Sequence, residues 1–324
     1  MSLSLTEWVD VLDKEYLAEF VPAGGASVKI VTAPPGAQNM VMDRVAEVAG
    51  RRNCTVARLR ADETKIQFIE HAFFAIARQI DWMELAHDWL REQFIANGVA
   101  LAPEQRLEDL DAIAGQMGVE PREVVGEVRR WIVNGLLKDH QLTREFRTAM
   151  ALLCQAVINP INVSPSDSDV LLQWLRGGKY SLSTLKKLQI FTRIGRHNAR
   201  QMLTSLSRWL HTNGRGGLVV LIDASTVWLP VTTTGDTAPP TIRYSRNATL
   251  DFFEVLRQFI DEVDDLEHFL LVVGVPPTFW SDPKKGISQY TALQMRVVDE
   301  VRDRDRANPL GTAVRLDVPM EVGA

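Results

Sequence analysis

Five short apolar segments, separated by long stretches of helical periodicity, constrain what this 324-residue chain can fold into. None of the five alternates cleanly between apolar and polar residues, a pattern typical of strands buried on both faces of a parallel sheet. The candidate strands are residues 28–33, 55–59, 217–223, 269–274 and, with a weaker pattern, 312–316. Because such strands alternate with helices, the sequence predicts an α/β fold, a parallel sheet with helices on both faces.

The interval between the second and third candidate strands is almost entirely helical by periodicity. Residues 83–165 are too many for one crossover connection, which predicts an inserted helical subdomain. The predicted organisation is therefore a first half of the α/β domain at 1–82, an insertion at 83–165 and a second half at 166–324. NPINVSPSDSD (159–169) is predicted to be a linker in which Ser166 or Asp167 caps the next helix, and TTTGDTAPPT (232–241) to be a mobile loop.

Composition excludes several classes of protein. The net charge of -5 and the pI near 5.8 argue against a chain that binds nucleic acid through its overall charge. Cys54 and Cys154 have no metal-binding spacing, so a reducing compartment is expected. The acidic N-terminal segment lacks the apolar core of a signal peptide, and no apolar run is long enough to cross a bilayer. We therefore expect a cytoplasmic protein without a membrane partner.

The stretch VKIVTAPPGAQNM (28–40) raises the main functional question. A buried strand, a glycine turn and a helix together form the cradle of a phosphate loop, whose motif is G-x-x-x-x-G-K-[ST]. Aligned with that motif, the first glycine is replaced by Ala33 and the second by Gln38, the lysine by Asn39 and the hydroxyl residue by Met40. Taken alone, the stretch is an ordinary turn between a strand and a helix.

Two later strands add to the nucleotide-binding interpretation. GLVVLIDAS (217–225) ends a buried strand in Asp223, where ATPases place the aspartate that orients the magnesium shell. The acid that would polarise water next to it is replaced by Ala224. FLLVVGVPPTFW (269–280) supplies a further buried strand, and Val275 stands near its end, where related ATPases place a polar sensor.

Several longer stretches carry a family resemblance, in chain order from about residue 15 to residue 316. They are EYLAEFVPAGGASVKIV, WLRGGKYSLSTLKKLQIF, IGRHNARQMLTSLSRWL, GRGGLVVLID and FFEVLRQFIDEVDDLEHFLLVVGVPPTFWSDPKKGISQYTALQMRV. In these stretches the chain resembles the ATP-binding subunit family of BREX-type phage-defence loci. The resemblance implies an AAA-like P-loop NTPase domain with an additional central strand, in a bacterial defence complex beside helicases and methyltransferases.

The departures from the family pattern fall on the positions that hold phosphate and activate water. The resemblance therefore implies a degenerate nucleotide site, made of Gly36, Ala37, Gln38, Asn39, Met40 and Asp223. No catalytic residue and no metal ligand are assigned. No cofactor is expected; ATP with magnesium could still bind there, without hydrolysis.

A second candidate site comes from charge distribution. Residues 170–222 contain nine arginines and lysines and no acid, whereas residues 251–267 contain seven acids. The two segments either compensate each other within the fold, or the first forms a basic face for nucleic acid or an acidic partner. The candidate contacts are Arg176, Lys179, Lys186, Lys187, Arg193, Arg196 and Arg200.

Three functional hypotheses follow. The first is a noncatalytic pseudo-ATPase scaffold that binds other defence-system subunits, among them an active ATPase paralogue or a helicase. The second is an ATP-binding protein with weak or atypical ATPase activity. The third is a module that binds DNA through the basic segment.

Overall fold

The computed structural model describes residues 2–34, 36–102, 104–159, 162–229, 242–298 and 308–318. Its strands are β1 (Leu3–Ser4), β2 (Ala26–Thr32), β3 (Thr55–Arg60), β4 (Leu218–Asp223), β5 (Phe269–Val275) and β6 (Ala313–Asp317). Its helices are α1 (Leu5–Val11), α2 (Gln38–Arg51), α3 (Ile69–Ala77), α4 (Trp82–Ala96), α5 (Leu110–Met117), α6 (Pro121–Trp131), α7 (Arg144–Ile158), α8 (Pro165–Arg176), α9 (Leu182–Lys187), α10 (Ala199–Thr212), α11 (Arg246–Asp261), α12 (Thr278–Ser281) and α13 (Thr291–Val298). Two π-helical segments, Leu12–Phe20 and Ile132–Leu137, extend α1 and α6. The predicted loop 232–241 lies outside the described residues.

The six strands form one all-parallel sheet in the order β1-β6-β2-β5-β4-β3. All five candidate strands are confirmed, and the two-residue strand β1 joins them at one edge. β2 lies inside the sheet, as the strand that precedes a phosphate loop does. The sequence also predicts that residues 28–32 lie beside the strands ending at Asp223 and Gly274. β2 does pair with β5, which contains Gly274, but β5 separates it from β4, so the predicted contact with the strand ending in Asp223 was wrong.

Helices cover both faces of the sheet. One face packs against α1 and α2, with Trp8 of α1, Val45 of α2 and Val272 of β5 each fully buried in the same core. Side chains alternate along a strand, so Phe269 of β5 points to the opposite face, where its ring stacks on Phe259 of α11. Burial on both faces explains why β2, β4 and β5 read as continuous apolar runs, whereas β3 and β6 alternate between buried and exposed residues.

By its internal contacts, the chain divides into two compact units. The first comprises Met1–Ile76 with Arg215–Ala324 and contains the sheet; the second is Ala77–Gly214. The second unit is helical, and its core contains aromatic pairs such as Trp82 with Phe146 and Trp89 with Trp209. It extends beyond the predicted insertion 83–165, because α8 packs on α7 within it.

The helix after the predicted linker begins earlier than its sequence suggested. Ser164 is the N-cap of α8, its hydroxyl accepts a hydrogen bond from the Asp167 N–H at 3.2 Å, and the Asp167 carboxylate bonds back to Ser164. Ser166 and Asp167 were the predicted caps. Pro165 occupies the first helical position, where its missing N–H costs no hydrogen bond, so the cap is the residue before it.

Candidate functional site

The strand register brings the carboxyl ends of five strands into one row. Thr32 of β2 is aligned with Val275 of β5 and Arg315 of β6, and Asp223 of β4 is aligned with Gly274 of β5 and Arg60 of β3. The turn between β2 and α2 lies at this edge. In open parallel sheets the carboxyl edge is where ligands bind, so the row is the candidate site.

The turn between β2 and α2 has lost most of its backbone donors. Pro34 and Pro35 have no N–H. The N–H of Ala37 donates to the Pro34 carbonyl at 3.1 Å, inside the turn. Gly36, with φ of 84° and open space around its α-carbon, keeps the left-handed conformation that a glycine turn needs. Three of the four residues 34–37 therefore cannot donate to a phosphate.

Gln38 occupies the inside of the turn. Its side chain is 4% exposed, and its Nε2 donates to the Ala33 carbonyl at 3.2 Å. Its Cγ lies 3.6 Å from the position that a β-carbon on Gly274 would take, so the side chain lies between the turn and the end of β5. A glycine at this position would leave that space to a phosphate.

The two positions after Gln38 carry no charge toward the turn. Asn39 and Met40 are exposed on the first turn of α2, and Met40 is 40% exposed. An ATPase has a lysine and a hydroxyl residue here, which supply a positive charge and a magnesium ligand. Ala37 provides no side-chain cap for α2, and the first turn of α2 contains no acid.

Asp223 lies at the end of β4, where its carboxylate accepts a hydrogen bond from a nearby backbone N–H. Its Oδ1 accepts the Ser225 N–H at 2.9 Å. The following residue, Ala224, is fully buried and donates its N–H to the Gly274 carbonyl at 3.0 Å. Arg60 lies beside Asp223, and its pKa is raised chiefly by its hydrogen bond with Asp62 and to a smaller degree by Asp223. Among the described residues, no three potential metal ligands cluster closely enough to hold a metal ion.

Four residues at this edge of the sheet were not predicted as site residues, namely Thr32, Arg60, Trp280 and Arg315. The Trp280 Nε1 donates to the Thr32 hydroxyl at 2.7 Å, and the Arg315 guanidinium lies 5.3 Å from the centre of the Trp280 ring. Arg60 could have been found by the reasoning that found Asp223, because it is a charged residue directly after a buried strand. Trp280 carries no such signal, since its position depends on how α12 returns to the sheet.

A family model described as BREX system ATP-binding protein BrxC/D matches residues 118–320, which is more than half of the chain. The chain belongs to this family. The BrxC/D match includes β4, β5 and β6 with Asp223, but it begins after β2 and the turn. No curated protein and no solved structure matches the chain. The all-parallel sheet flanked by helices is consistent with a P-loop-like fold.

The candidate basic residues also lie within the BrxC/D match, and the structure separates them into two groups. Arg176 is half-buried: its guanidinium donates to the Ile80 carbonyl at 3.3 Å, and its own carbonyl accepts from Arg78 at 3.0 Å. Arg200 is also half-buried. The remaining five are exposed, namely Lys179, Lys186, Lys187, Arg193 and Arg196. Arg176 and Arg200 are therefore less accessible to a partner than the other five.

The acidic segment 251–267 has partners within the sheet unit. Glu254 and Asp261 both pair with Arg257, and Arg296 of α13 pairs with Asp261. Arg296 is thus a partner in an ion pair between α13 and α11. No helix of the described residues is long and apolar enough to span a membrane.

Proposed function

We propose that this chain is a noncatalytic pseudo-ATPase, a subunit of a BREX phage-defence complex that keeps an AAA-like ATPase scaffold. Membership of the BREX ATP-binding family supports the setting. The observation that carries the proposal is the buried Gln38 side chain, which bonds to the Ala33 carbonyl where a phosphate would lie. ATP with magnesium does not fit the turn as it stands.

The missing groups all serve one reaction. Asn39 replaces the lysine that contacts the terminal phosphates, Met40 replaces a magnesium ligand and Ala224 replaces the acid that polarises water. Electrostatic groups of this kind contribute roughly 3–4 kcal/mol each to transition-state stabilisation. The loss of three such groups leaves hydrolysis below detection, even though Asp223 remains.

A retained scaffold without turnover acts through its surfaces. The partners that the proposal names are other defence-system subunits, in particular an active ATPase paralogue or a helicase. A degenerate site on an intact sheet favours such a role, because the fold presents the same surfaces as an active subunit. The site of action that we expect is the cytoplasm.

ATP binding with weak or atypical hydrolysis is the competing function, and two features favour nucleotide binding. The first turn of α2 has no side-chain cap and no acid, so the helix N-terminus is electrostatically open to an anion. Gly36 also keeps the conformation that allows close approach. Binding without turnover would still satisfy the proposal, whereas turnover would not.

The test is calorimetry with ATP and magnesium, together with a phosphate-release assay on the purified chain. We expect no turnover above that of the Asp223→Ala variant. A contaminating ATPase would be unaffected by Asp223→Ala, so this variant is the control. Micromolar ATP binding with turnover that Asp223→Ala abolishes would show that the chain is an enzyme.

A phage-plating assay in the native host separates a scaffold from an enzyme within the defence system. Deletion of the chain should abolish protection against phage, whereas Asp223→Ala should preserve it. Co-purification with other subunits, identical for the wild type and Asp223→Ala, would support the structural role. Loss of protection by Asp223→Ala, with co-purification intact, would contradict it.

A further inference from the structure

Residues 179–196, which we call the basic segment, carry five exposed cations. They are Lys179, Lys186, Lys187, Arg193 and Arg196, and none of them forms an ion pair with a side chain in the described part of the chain. Other exposed arginines of the chain, such as Arg44, Arg106 and Arg130, do pair with acids. The basic segment therefore presents positive charge that its own fold does not neutralise.

Local hydrogen bonds fold the basic segment into two successive turns. Ile190 donates its N–H to the Leu185 carbonyl at 3.2 Å, so the chain turns back on the end of α9. The carbonyl of Arg193 accepts from Asn198, and Asn198 also accepts from Gly195, which closes the loop that carries Arg196.

A further contact attaches the basic segment to the rest of the helical unit. The indole of Trp174 on α8 donates to the Thr192 carbonyl at 3.1 Å. The guanidinium of Arg193 lies close enough to Tyr180 to oppose the rise that burial causes in the pKa of that phenol. The positive charge of Arg193 therefore acts on a residue near the other end of the segment.

The basic segment also contains an exposed aromatic ring. Phe191 is 57% exposed, although its neighbour Ile190 is fully buried. Thr192 is held on the inner side, because its hydroxyl donates to the Glu145 carboxylate at 3.1 Å. This alternation directs the Phe191 ring toward solvent, in the same short stretch of chain as the exposed Lys187 and Arg193. The Glu145 carboxylate thus packs against the segment on the side of Thr192.

We propose that the basic segment binds single-stranded nucleic acid, with one base stacked on Phe191 and the flanking phosphates held by Lys186, Lys187, Arg193 and Arg196. Uncompensated cations provide the sequence-independent attraction to phosphate. An exposed aromatic ring adds a stacking surface, which a duplex does not use because its bases are already stacked. An acidic protein would use the charge but would leave the ring without a base. The proposal is independent of the nucleotide site.

The binding test uses fluorescence anisotropy of the full chain with labelled oligothymidylate, oligouridylate and a DNA duplex of equal length. We expect both single strands to bind more tightly than the duplex. The comparison of oligothymidylate with oligouridylate decides whether the bound strand is DNA or RNA. Affinity should fall with salt, with a slope of about 0.7 in log–log units for each phosphate contacted.

The charge variant is Lys186→Glu with Lys187→Glu. It should weaken binding to single strands and lower the salt slope by roughly 1.4, about 0.7 for each cation lost. Arg129→Glu with Arg130→Glu is the matched control, because this adjacent exposed pair on α6 gives the same change in net charge within the same unit. The control should retain the wild-type slope.

The stacking variant is Phe191→Ala, for which we expect a loss of roughly fivefold or more in affinity for single strands. Phe191→Trp should retain the wild-type affinity. Ile95→Ala removes an apolar side chain that is 49% exposed elsewhere in the unit, and it should have no effect. Unchanged thermal unfolding of each variant verifies that the fold is intact.

Three results would overturn the proposal. Absence of binding to either single strand at low salt would assign the segment to an acidic protein partner. If the duplex bound as tightly as the single strands, and Phe191→Ala kept the wild-type affinity, the segment would be a purely electrostatic surface. Equal loss in the Arg129→Glu, Arg130→Glu control would show that net charge, rather than this segment, drives binding.

Discussion

One residue, Gln38, decides how the edge of the sheet is interpreted. A glycine at this position permits a phosphate to approach, whereas the buried glutamine side chain bonds to the Ala33 carbonyl in that space. The replacement of this glycine could be predicted from the sequence, because all the residues of a phosphate loop lie within eight consecutive positions. The direction of the side chain, into the turn and against β5, could not.

At the residue scale, Glu254 links stability to pH. The Arg257 guanidinium at 2.7 Å, with Tyr290 and Gln258 as further donors, lowers the pKa of Glu254 from 4.5 to about 2. A carboxyl with a lowered folded pKa contributes stability above its unfolded pKa and loses it as pH falls through the folded value. This contribution is therefore present above about pH 4.5 and is lost progressively toward pH 2.

Glu254→Gln should therefore lower stability at neutral pH and flatten its decline in acid. Urea-unfolding midpoints, measured for the wild type and the variant at several pH values between neutral and the onset of acid unfolding, check this. Glu47→Gln is the control, because Glu47 forms a half-exposed pair with Arg44 on α2, a kind of pair that contributes little. An identical pH dependence in wild type and Glu254→Gln would contradict the assigned contribution.

At the scale of elements, the strands were predictable and the limits of the helical unit were not. Buried parallel strands reveal themselves as short apolar runs, so all five were found from the sequence. β1 was not, because two residues give no pattern, and its pairing with β6 is a long-range contact. The extension of the helical unit to Gly214 depends on packing of α8 and α10 on α7, which periodicity does not specify.

Gly217 joins three strands, and its replacement should affect all of them. Its φ is 133°, its carbonyl accepts from Thr55 at the start of β3, and a β-carbon would lie 2.7 Å from both the His268 carbonyl oxygen and Val21. Gly217→Ala combines backbone strain with a clash against backbone, so we expect a loss of about 2 kcal/mol or more in the free energy of unfolding. Urea denaturation measures it.

The matched control for Gly217→Ala is Gly50→Ala. Gly50 lies in α2 with open space where a β-carbon would be added. Alanine is the better helix former, so this variant should stabilise the protein by about 0.5–1 kcal/mol. Similar effects of the two substitutions would mean that neither the φ angle nor the close approach at Gly217 constrains the sheet.

At the scale of the whole molecule, nucleotide chemistry depends on residues from strands that are distant in sequence. The turn after β2, Asp223 of β4 and Gly274 of β5 meet only because β5 inserts between the other two strands. The sequence identified each strand end but not their order, since strand order is set by packing over the full sheet. For the same reason Trp280 and Arg315, which adjoin Thr32, escaped prediction.

This arrangement predicts that binding and hydrolysis can be restored separately. The triple variant Gln38→Gly, Asn39→Lys, Met40→Thr empties the turn and supplies a charge and a magnesium ligand at the start of α2. ATP–magnesium affinity measured by calorimetry should rise by about tenfold or more, close to 1.4 kcal/mol. Phosphate release should stay absent, because Ala224 is buried at the end of β4 and supplies no acid.

The control for the triple variant replaces the lysine with a neutral residue, as Gln38→Gly, Asn39→Gln, Met40→Thr. If the new charge contributes the gain, this control should bind ATP less tightly than the lysine variant. Pro34 and Pro35 still lack N–H groups in both, which limits the affinity that either can reach. The opposite result would be phosphate release by the lysine variant that is lost when Asp223→Ala is added. It would show that hydrolysis needs no acid at position 224 and that the residues of the turn alone had prevented it.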